Sequence, residues 1–419
     1  MKKLEHKVPN LRFKDFTDDW EQRKLGDITI PIKTYPYTRK YETKNITKFK
    51  YIHYGDIHTG KAKKINEPSK LPSITKGNYS TLRNGDVVVA DASEDYKGIA
   101  DAAILLSTGA FSIIAGLHTI AFRPNRKLVF PMFIYYNLQT SRFKHYGYHV
   151  GTGLKVFGIS SNLFFDYSAF YPSLIEQQEI SKLIESLENL LSLHQRKLDL
   201  LKQLKKGLLQ KMFAAEKNSK QPALRFKGFH DDWEQHKLGD ALEEFSYGLN
   251  TPATKFDGKN KYLRITDIDD DTHAFNQISL TSPKDKDDNY ILGQGDILFA
   301  RTGASVGKTY MYKANDGKVY YAGFLIKGHI KNGFSTEFIF NTTRLPQYQN
   351  FVKVTSMRSG QPGINAKEYQ NYVIYVPVKQ EQERIGQLIS KLDTLITLHQ
   401  RKQNHLKLLK KSLLQQMFM

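Results

Sequence analysis

Apolar side chains recur at steps of three and four residues along two stretches of this chain. In EQQEISKLIESLENLLSLHQRKLDLLKQLKKGLLQKMF, residues 176–213, they stand at Ile180, Ile184, Leu187, Leu191, Leu198, Leu201, Leu204, Leu208 and Met212. In EQERIGQLISKLDTLITLHQRKQNHLKLLKKSLLQQMF, residues 381–418, they stand at Ile385, Ile389, Leu392, Ile396, Leu406, Leu409, Leu413 and Met417. Such spacing is the seam of an amphipathic helix, not the alternation of a strand. No proline interrupts either run; Pro172 and Pro377 lie just upstream, and Glu176, Glu179, Glu381 and Glu383 fall where a first helical turn favours negative charge. Each run predicts a helix of about 57 Å at 1.5 Å per residue, longer than an ordinary globular helix, so each needs a long partner. The two runs align without gaps at an offset of 205 residues, which makes each the natural partner of the other.

Shorter apolar runs fill the rest. FKYIHYGDI (49–57), DVVVADA (86–92), KYLRITDI (261–268) and DILFART (296–302) read as strands bounded by Gly and Asn turns. A second repeat precedes them: LRFKDFTDDWEQRKLGD (11–27) returns as LRFKGFHDDWEQHKLGD (224–240), with 14 of 17 positions identical. A repeat of this kind marks a tandem duplication whose ends stayed alike while its middles diverged. The expected fold class is α+β: two mixed α/β domains separated by a long antiparallel helical coiled coil, with approximate two-fold internal symmetry. The expected boundaries are 1–175 for the first domain, 176–213 for the first long helix, 214–223 for a polar linker, 224–380 for the second domain and 381–419 for the second helix. Orientation follows from connectivity, because the first helix leads away from the first domain and the second helix must run back along it. Trp20 and Trp233 are expected to anchor the repeated lead-in motif in the core. His194 and His399, both within LHQRK, fit a polar seam position that fixes register better than a metal ligand or a pH switch.

Composition narrows the function. The chain has 419 residues and no cysteine, which excludes disulfides and cysteine-ligated zinc. No run of about 18 apolar residues is present to span a bilayer, and MKKLEHKVPN lacks the apolar stretch of a signal peptide, so a cytoplasmic location is expected. A formal charge of +20 points to a polyanionic partner, nucleic acid foremost. More than half of that excess lies in the first 170 residues and none of it forms a polybasic tail, so folded surfaces carry it.

Motifs for chemistry are sparse. ARTGASVGKT (300–309) follows a predicted strand and resembles a phosphate loop, but Gly303 and Gly307 enclose three residues where a P-loop has four. The chain has no HExxH and no Pro-Pro pair of the kind an adenine methyltransferase uses, and Asp269, Asp270 and Asp271 read as a solvated turn. A binding role therefore outweighs an enzymatic one.

Order now matters more than any one motif. A WEQRKLGD or WEQHKLGD lead-in, a divergent region containing GDILFARTGASVGK, the segment RSGQPGINAKEYQNYVIYVP and a P-x-x-x-E-Q-x-x-I helix start follow one another. This arrangement resembles the specificity subunit of a bacterial type I restriction-modification enzyme over essentially the whole chain. The resemblance implies a non-catalytic subunit whose two target-recognition domains each read one half of a split sequence in double-stranded DNA, with helices that set the spacer. It implies two modification subunits carrying S-adenosylmethionine as partners, and restriction subunits using ATP and magnesium for cleavage. The first copy departs from the pattern at DVVVADASEDYKG, where Asp91, Glu94 and Asp95 stand against Arg301 and neutral residues in the second.

Candidate DNA contacts in the second domain are Arg301, Thr302, Ser305 and Lys308, with Arg358, Ser359, Gln361 and Asn365 in the Gly/Pro-rich loop. Arginine can bond guanine at two points and Gln or Asn adenine, while lysine suits phosphates. In the first domain the matching loops nominate Ser93, Lys97, His149, Lys155 and Ser160, with Arg39 and Lys40 as backbone contacts. Two alternatives stay open: a coiled-coil scaffold, and a nucleic-acid-processing enzyme with an unrecognised active site.

Overall fold

The structure is a computed structural model that describes residues 8–94, 98–153, 156–213, 220–270, 272–357 and 361–419. Two compact units emerge, one built from Met1–Leu193 with Gln403–Met419, the other from His194–Lys402.

The first unit begins with β1 (Glu21–Lys24), α1 (Leu25–Ile28) and β2 (Thr29–Ile32). Then come β3 (Phe49–Ile52), α2 (Tyr54–His58), β4 (Lys64–Ile65), β5 (Val87–Ala90), β6 (Ala92–Ser93), β7 (Ala102–Leu105), β8 (Ser112–Ala115) and β9 (Thr119–Pro124). Its last elements are α3 (Pro131–Asn137), α4 (Ser141–Val150), β10 (Phe157–Gly158), α5 (Ser161–Phe165), β11 (Ser168–Tyr171) and the start of α6 (Leu174–Met212). The main sheet has the order β2-β9-β5-β7-β4. All four residues of β5 are buried because the strand serves two cores. Val87 and Val89 join Trp20, Phe133 and the α6 seam residues Ile180, Ile184 and Leu187. Val88 and Ala90, on the opposite face, join Ile57, Leu105 and Ile113.

In the second unit the same plan recurs. β12 (Glu234–Lys237), α7 (Leu238–Ala241), β13 (Leu242–Tyr247), β14 (Ala253–Lys255), β15 (Lys261–Leu263), β16 (Thr281–Pro283) and β17 (Asp296–Ala300) come first. β18 (Thr309–Met311), β19 (Val319–Tyr321), β20 (Leu325–Ile330), α8 (Thr336–Thr342), α9 (Pro346–Thr355), α10 (Ala366–Gln370), β21 (Val373–Val376) and α11 (Lys379–Gln416) complete it. The sheet order β13-β20-β17-β18 matches β2-β9-β5-β7 strand for strand. The parallel pair β15–β19 matches β3–β8, and the antiparallel pair β12–β21 matches β1–β11. β17 also serves two cores, with Ile297 and Phe299 on one face and Leu298 and Ala300 on the other.

Two of the strands expected from sequence are shorter than their apolar runs. FKYIHYGDI is a strand only to Ile52, because the His53 ring nitrogen accepts from the Gly55 amide and starts α2. KYLRITDI stops at Leu263, where Asp267 closes a turn by accepting from the Arg264 amide.

Within each unit, stretches of α6 and α11 pack antiparallel. In the first unit Glu188 of α6 takes Lys410 of α11 and Lys64, each at 2.5 Å. In the second unit Asp393 of α11 takes Lys205 of α6 and Arg344. The two ion pairs are related by the same 205-residue offset as the helices themselves. His194 and His399 meet at the seam in the second unit, with Nδ1 atoms 2.9 Å apart. Burial, then Lys197 and His194, hold the His399 ring below its usual pKa, which favours the neutral acceptor that such a pair requires.

The repeated lead-in motif is clamped to the helix starts. The Arg12 guanidinium bonds both Glu176 oxygens at 2.7 and 2.9 Å, and Arg225 bonds Glu381 at 2.8 and 2.9 Å. Trp20 and Trp233 are each 1% exposed, as anchors should be, and pack edge-on against Phe133 and Phe338. Among the described residues no helix is long and apolar enough to cross a membrane.

Candidate DNA interface

In both units the central strand pair fixes the frame from which the loops project. At one end a glycine with positive φ, Gly85 (+91°) or Gly295 (+94°), turns the chain so that the following aspartate faces the neighbouring strand. Asp86 there accepts two bonds from Arg123 at 2.8 and 2.7 Å, and Asp296 meets the His329 Nδ1 at 2.8 Å. At the other end the registers close on Ala90 opposite Thr119 and Ala300 opposite Leu325. The next residues out are Asp91 and Arg301. Asp91 N donates to His118 O at 3.1 Å and Arg301 N to Phe324 O at 3.0 Å. Ile159 N then donates to Asp91 O at 2.8 Å and Ile364 N to Arg301 O at 2.9 Å. Two equivalent backbone bonds therefore place Asp91 and Arg301 at one and the same position of the frame.

In the second unit the two sequence stretches nominated for DNA come together there. Thr302 bridges to Gly363, and Gly303 N donates to Pro362 O at 3.0 Å. The Arg301 guanidinium lies 5.0 Å from the Tyr247 ring centre and 5.9 Å from that of Phe324. Its Nε is buried with no acceptor among the described residues. Lys308 pairs with the exposed Asp270 at 2.5 Å. The Gln361 amide nitrogen stands 3.5 Å from where a Cβ on Gly303 would be, so it borders the same loop. Asn365 caps α10, accepting from the Glu368 amide at 3.0 Å while Glu368 accepts from its own. Arg358 and Ser359 lie outside the described residues.

The loop from Gly303 to Gly307 is shaped by packing. Both glycines have positive φ, and a Cβ on Gly307 would lie 2.5 Å from Val352. The residues GASVG also carry the Gly-x-Ser-x-Gly spacing of a hydrolase nucleophile turn. Here the turn leads into β18 rather than a helix, and the Ser305 hydroxyl meets neither a histidine nor a carboxylate among the described residues.

The first unit arranges its candidates differently. Ser93 is buried in β6, paired with Phe157 of β10. Ser160 caps α5 as Asn365 caps α10, accepting from Leu163 N at 3.4 Å. His149 is exposed near the end of α4, its Nε2 2.9 Å from that of His145. Arg39 spends its guanidinium on Asp56, at 2.7 and 3.1 Å, and on Glu42. Those bonds, to Asp56 above all, hold it above the usual arginine range. Lys40 beside it is exposed. Lys97 and Lys155 lie outside the described residues. What the candidate list passed over is the Asp91–His118 pair, at 3.3 Å, next to a cleft of about 640 Å³ lined by Tyr54, His58, Ser93, Asp101 and His118. The signal was present in the alignment of DVVVADA with DILFART, which sets Asp91 against Arg301. Among the described residues no group of three or more His, Asp or Glu could hold a metal ion.

Comparison with known proteins agrees with this twofold plan. A family model described as the type I restriction modification DNA specificity domain matches twice, at residues 17–203 and 230–408. The MjaVIII type I restriction enzyme specificity subunit of Methanocaldococcus jannaschii is 20% identical over 411 residues, 95% of this chain and 91% of that one. With the MjaX specificity subunit of the same organism the identity is 23% over 251 residues, and the chain spans 57% of that relative's length. Among solved structures, the S subunit of a type I restriction-modification system from M. genitalium superposes with a TM-score of 0.67 at 15% identity, covering 98% of this chain and 99% of that one. A chain from a study of complex assembly and conformational transition in a type I system superposes at 0.51, 16% identical, over 94% and 96%. At these identities the structural matches establish the fold.

Proposed function

The chain belongs to the type I restriction-modification DNA specificity family, and from that premise we propose that its two units each read one half of a bipartite DNA site for partner subunits that perform the chemistry. The observation that carries this reading is one frame present twice with different residues at its strand-end loops. A frame kept in duplicate suits identical partners docking at two sites, and exchanged loops suit two unlike half-sites.

The docking partners are two modification subunits. Each unit presents the same exposed leucines at offset-related positions: Leu190, Leu193 and Leu409 in the first, and Leu395, Leu398 and Leu204 in the second. These patches lie outside the buried seam, where the spacing had placed Leu204 and Leu409, and repeated exposed apolar patches are what two copies of one partner would cover. The partners supply S-adenosylmethionine and, where restriction subunits join, ATP and magnesium. Arg301, Gln361 and Lys308 contact the second half-site, and the loops near Ser93 and His149 the first. The reading domains comprise residues 1–175 and 224–380, joined through the long helix 176–213 and the 214–223 linker.

A domain exchange tests this. Replacing residues 28–170 with the equivalent region of another specificity subunit, and sequencing the methylated motifs made with the modification subunit, should change one half-site and leave the other intact. Methylation by the purified chain alone, or a change in both halves, would overturn the reading.

A further inference from the structure

The frame position shared by Asp91 and Arg301 has opposite hydrogen-bonding character in the two units. Arg301 offers only donors, and its Nε has no acceptor among the described residues. Asp91 offers only acceptors. One carboxylate oxygen lies 3.3 Å from His118 Nδ1, and the other has no hydrogen-bond partner among the described residues.

The surroundings change together with the charge. Phe324, which supports the arginine, is replaced in the first unit by His118, whose own carbonyl accepts from the Asp91 amide. His118 sits at φ +55°, a conformation that costs a non-glycine residue free energy. Its ring meets Tyr54 edge-on at 5.5 Å and lines the cleft, while its Nδ1 faces the Asp91 carboxylate. An aspartate there is repelled by DNA phosphates, so general attraction to a polyanion gives it no role. A specific hydrogen-bond donor does. The donors that DNA presents in its major groove are the exocyclic amines of cytosine and adenine, whereas arginine matches the two acceptors of guanine.

We propose that Asp91, held in place by His118, reads an exocyclic amine of cytosine or adenine in the first half-site, as the acceptor counterpart of the donor Arg301 in the second. The proposal rests on the reading above that each unit recognises one half-site.

The test uses the full chain, assembled with its modification subunit and carrying Asp91→Ala, Asp91→Asn or Asp91→Arg. Methylated motifs are sequenced, and binding is measured to duplexes in which each first-half-site base pair is replaced in turn. Asp91→Ala should lower discrimination at one base pair of the first half-site by about 5- to 150-fold, leaving the second half-site unchanged. The identity of that pair tells cytosine from adenine. Asp91→Arg should move the same position toward guanine. If the alanine variant binds no DNA, the near-isosteric Asp91→Asn decides, with its preference altered at that position alone. An unchanged motif in the variants that bind, changes spread over both half-sites, or equal loss of binding to every sequence by the Ala and Asn variants would overturn the proposal. A wild-type assembly that methylates no bipartite site would instead overturn the underlying functional reading, so the two failures are distinguishable.

Discussion

Replacing Arg12 with alanine strands a carboxylate. Glu176 is 1% exposed, and the Arg12 guanidinium bonds both of its oxygens while also donating to the Asp18 carbonyl at 2.6 Å. One side chain thus ties the lead-in motif to the first turn of α6. Removing one partner of a buried pair costs roughly 3–5 kcal/mol. The helix N-terminus offsets up to about 1 kcal/mol of the penalty. We therefore expect Arg12→Ala to destabilise the first unit by about 3 kcal/mol. Adding Glu176→Gln removes the charge and should recover most of the loss. Arg225→Ala repeats the experiment in the second unit, where Glu381 has the same geometry. Hydrogen exchange resolved by unit is the assay, because unfolding of a two-unit chain is not a single transition. A loss under about 1 kcal/mol, or a double variant no more stable than Arg12→Ala, would refute the reasoning.

Two further outcomes are expected. Lys205 is pushed down to about 8, by burial first and then by Arg344. Between that value and its ordinary 10.5 the unfolded chain holds a proton the folded one has released, so the second unit should gain stability as pH rises through this window. Lys205→Met should abolish that rise and stabilise the unit by roughly 3 kcal/mol at pH 7, measured by denaturant titration at several pH values with hydrogen exchange resolving the second unit; a destabilised variant would show that the Asp393 bond outweighs the burial. DNA affinity should fall with salt at a log–log slope near −5 if about six phosphates are neutralised, and a flat response would mean that the +20 charge serves solubility alone.

The long helices were legible because a period of three and four sustained over more than nine turns has no competing explanation. Strand ends were less so. FKYIHYGDI reads as one apolar run, yet His53 uses a ring nitrogen to start a helix, a choice that depends on a single side-chain bond. Sheet order was not legible at all, since nothing local in DVVVADA or TIAFRP announces that β5 and β9 are neighbours. At the interface, both GASVGK and QPGIN stood out in the sequence as candidate contacts, but their meeting was not legible, since it rests on backbone bonds between segments some 60 residues apart. The capping by Ser160 and Asn365 was not legible either, because their side chains suit a helix start and a base edge equally well. Asp91 was passed over for a physical reason: a search for DNA contacts favours cations, and hydrogen-bond polarity at a base edge does not follow net charge.

The division of α6 and α11 between the two units bears on how the protein is made. The second unit, His194–Lys402, is one uninterrupted stretch of chain and can close as soon as that stretch has left the ribosome. The first unit needs Gln403–Met419, whose Leu406, Leu413, Met417 and Phe418 complete its core. The part translated first is therefore completed last. At about 5–20 residues per second, Ile180, Ile184 and Leu187 wait some 10–45 s for the Gln403–Met419 members of their cluster, a period in which the nascent chain displays an unfinished apolar seam. Chaperone dependence during synthesis should accordingly be concentrated in the first unit, although the second is the younger part of the chain.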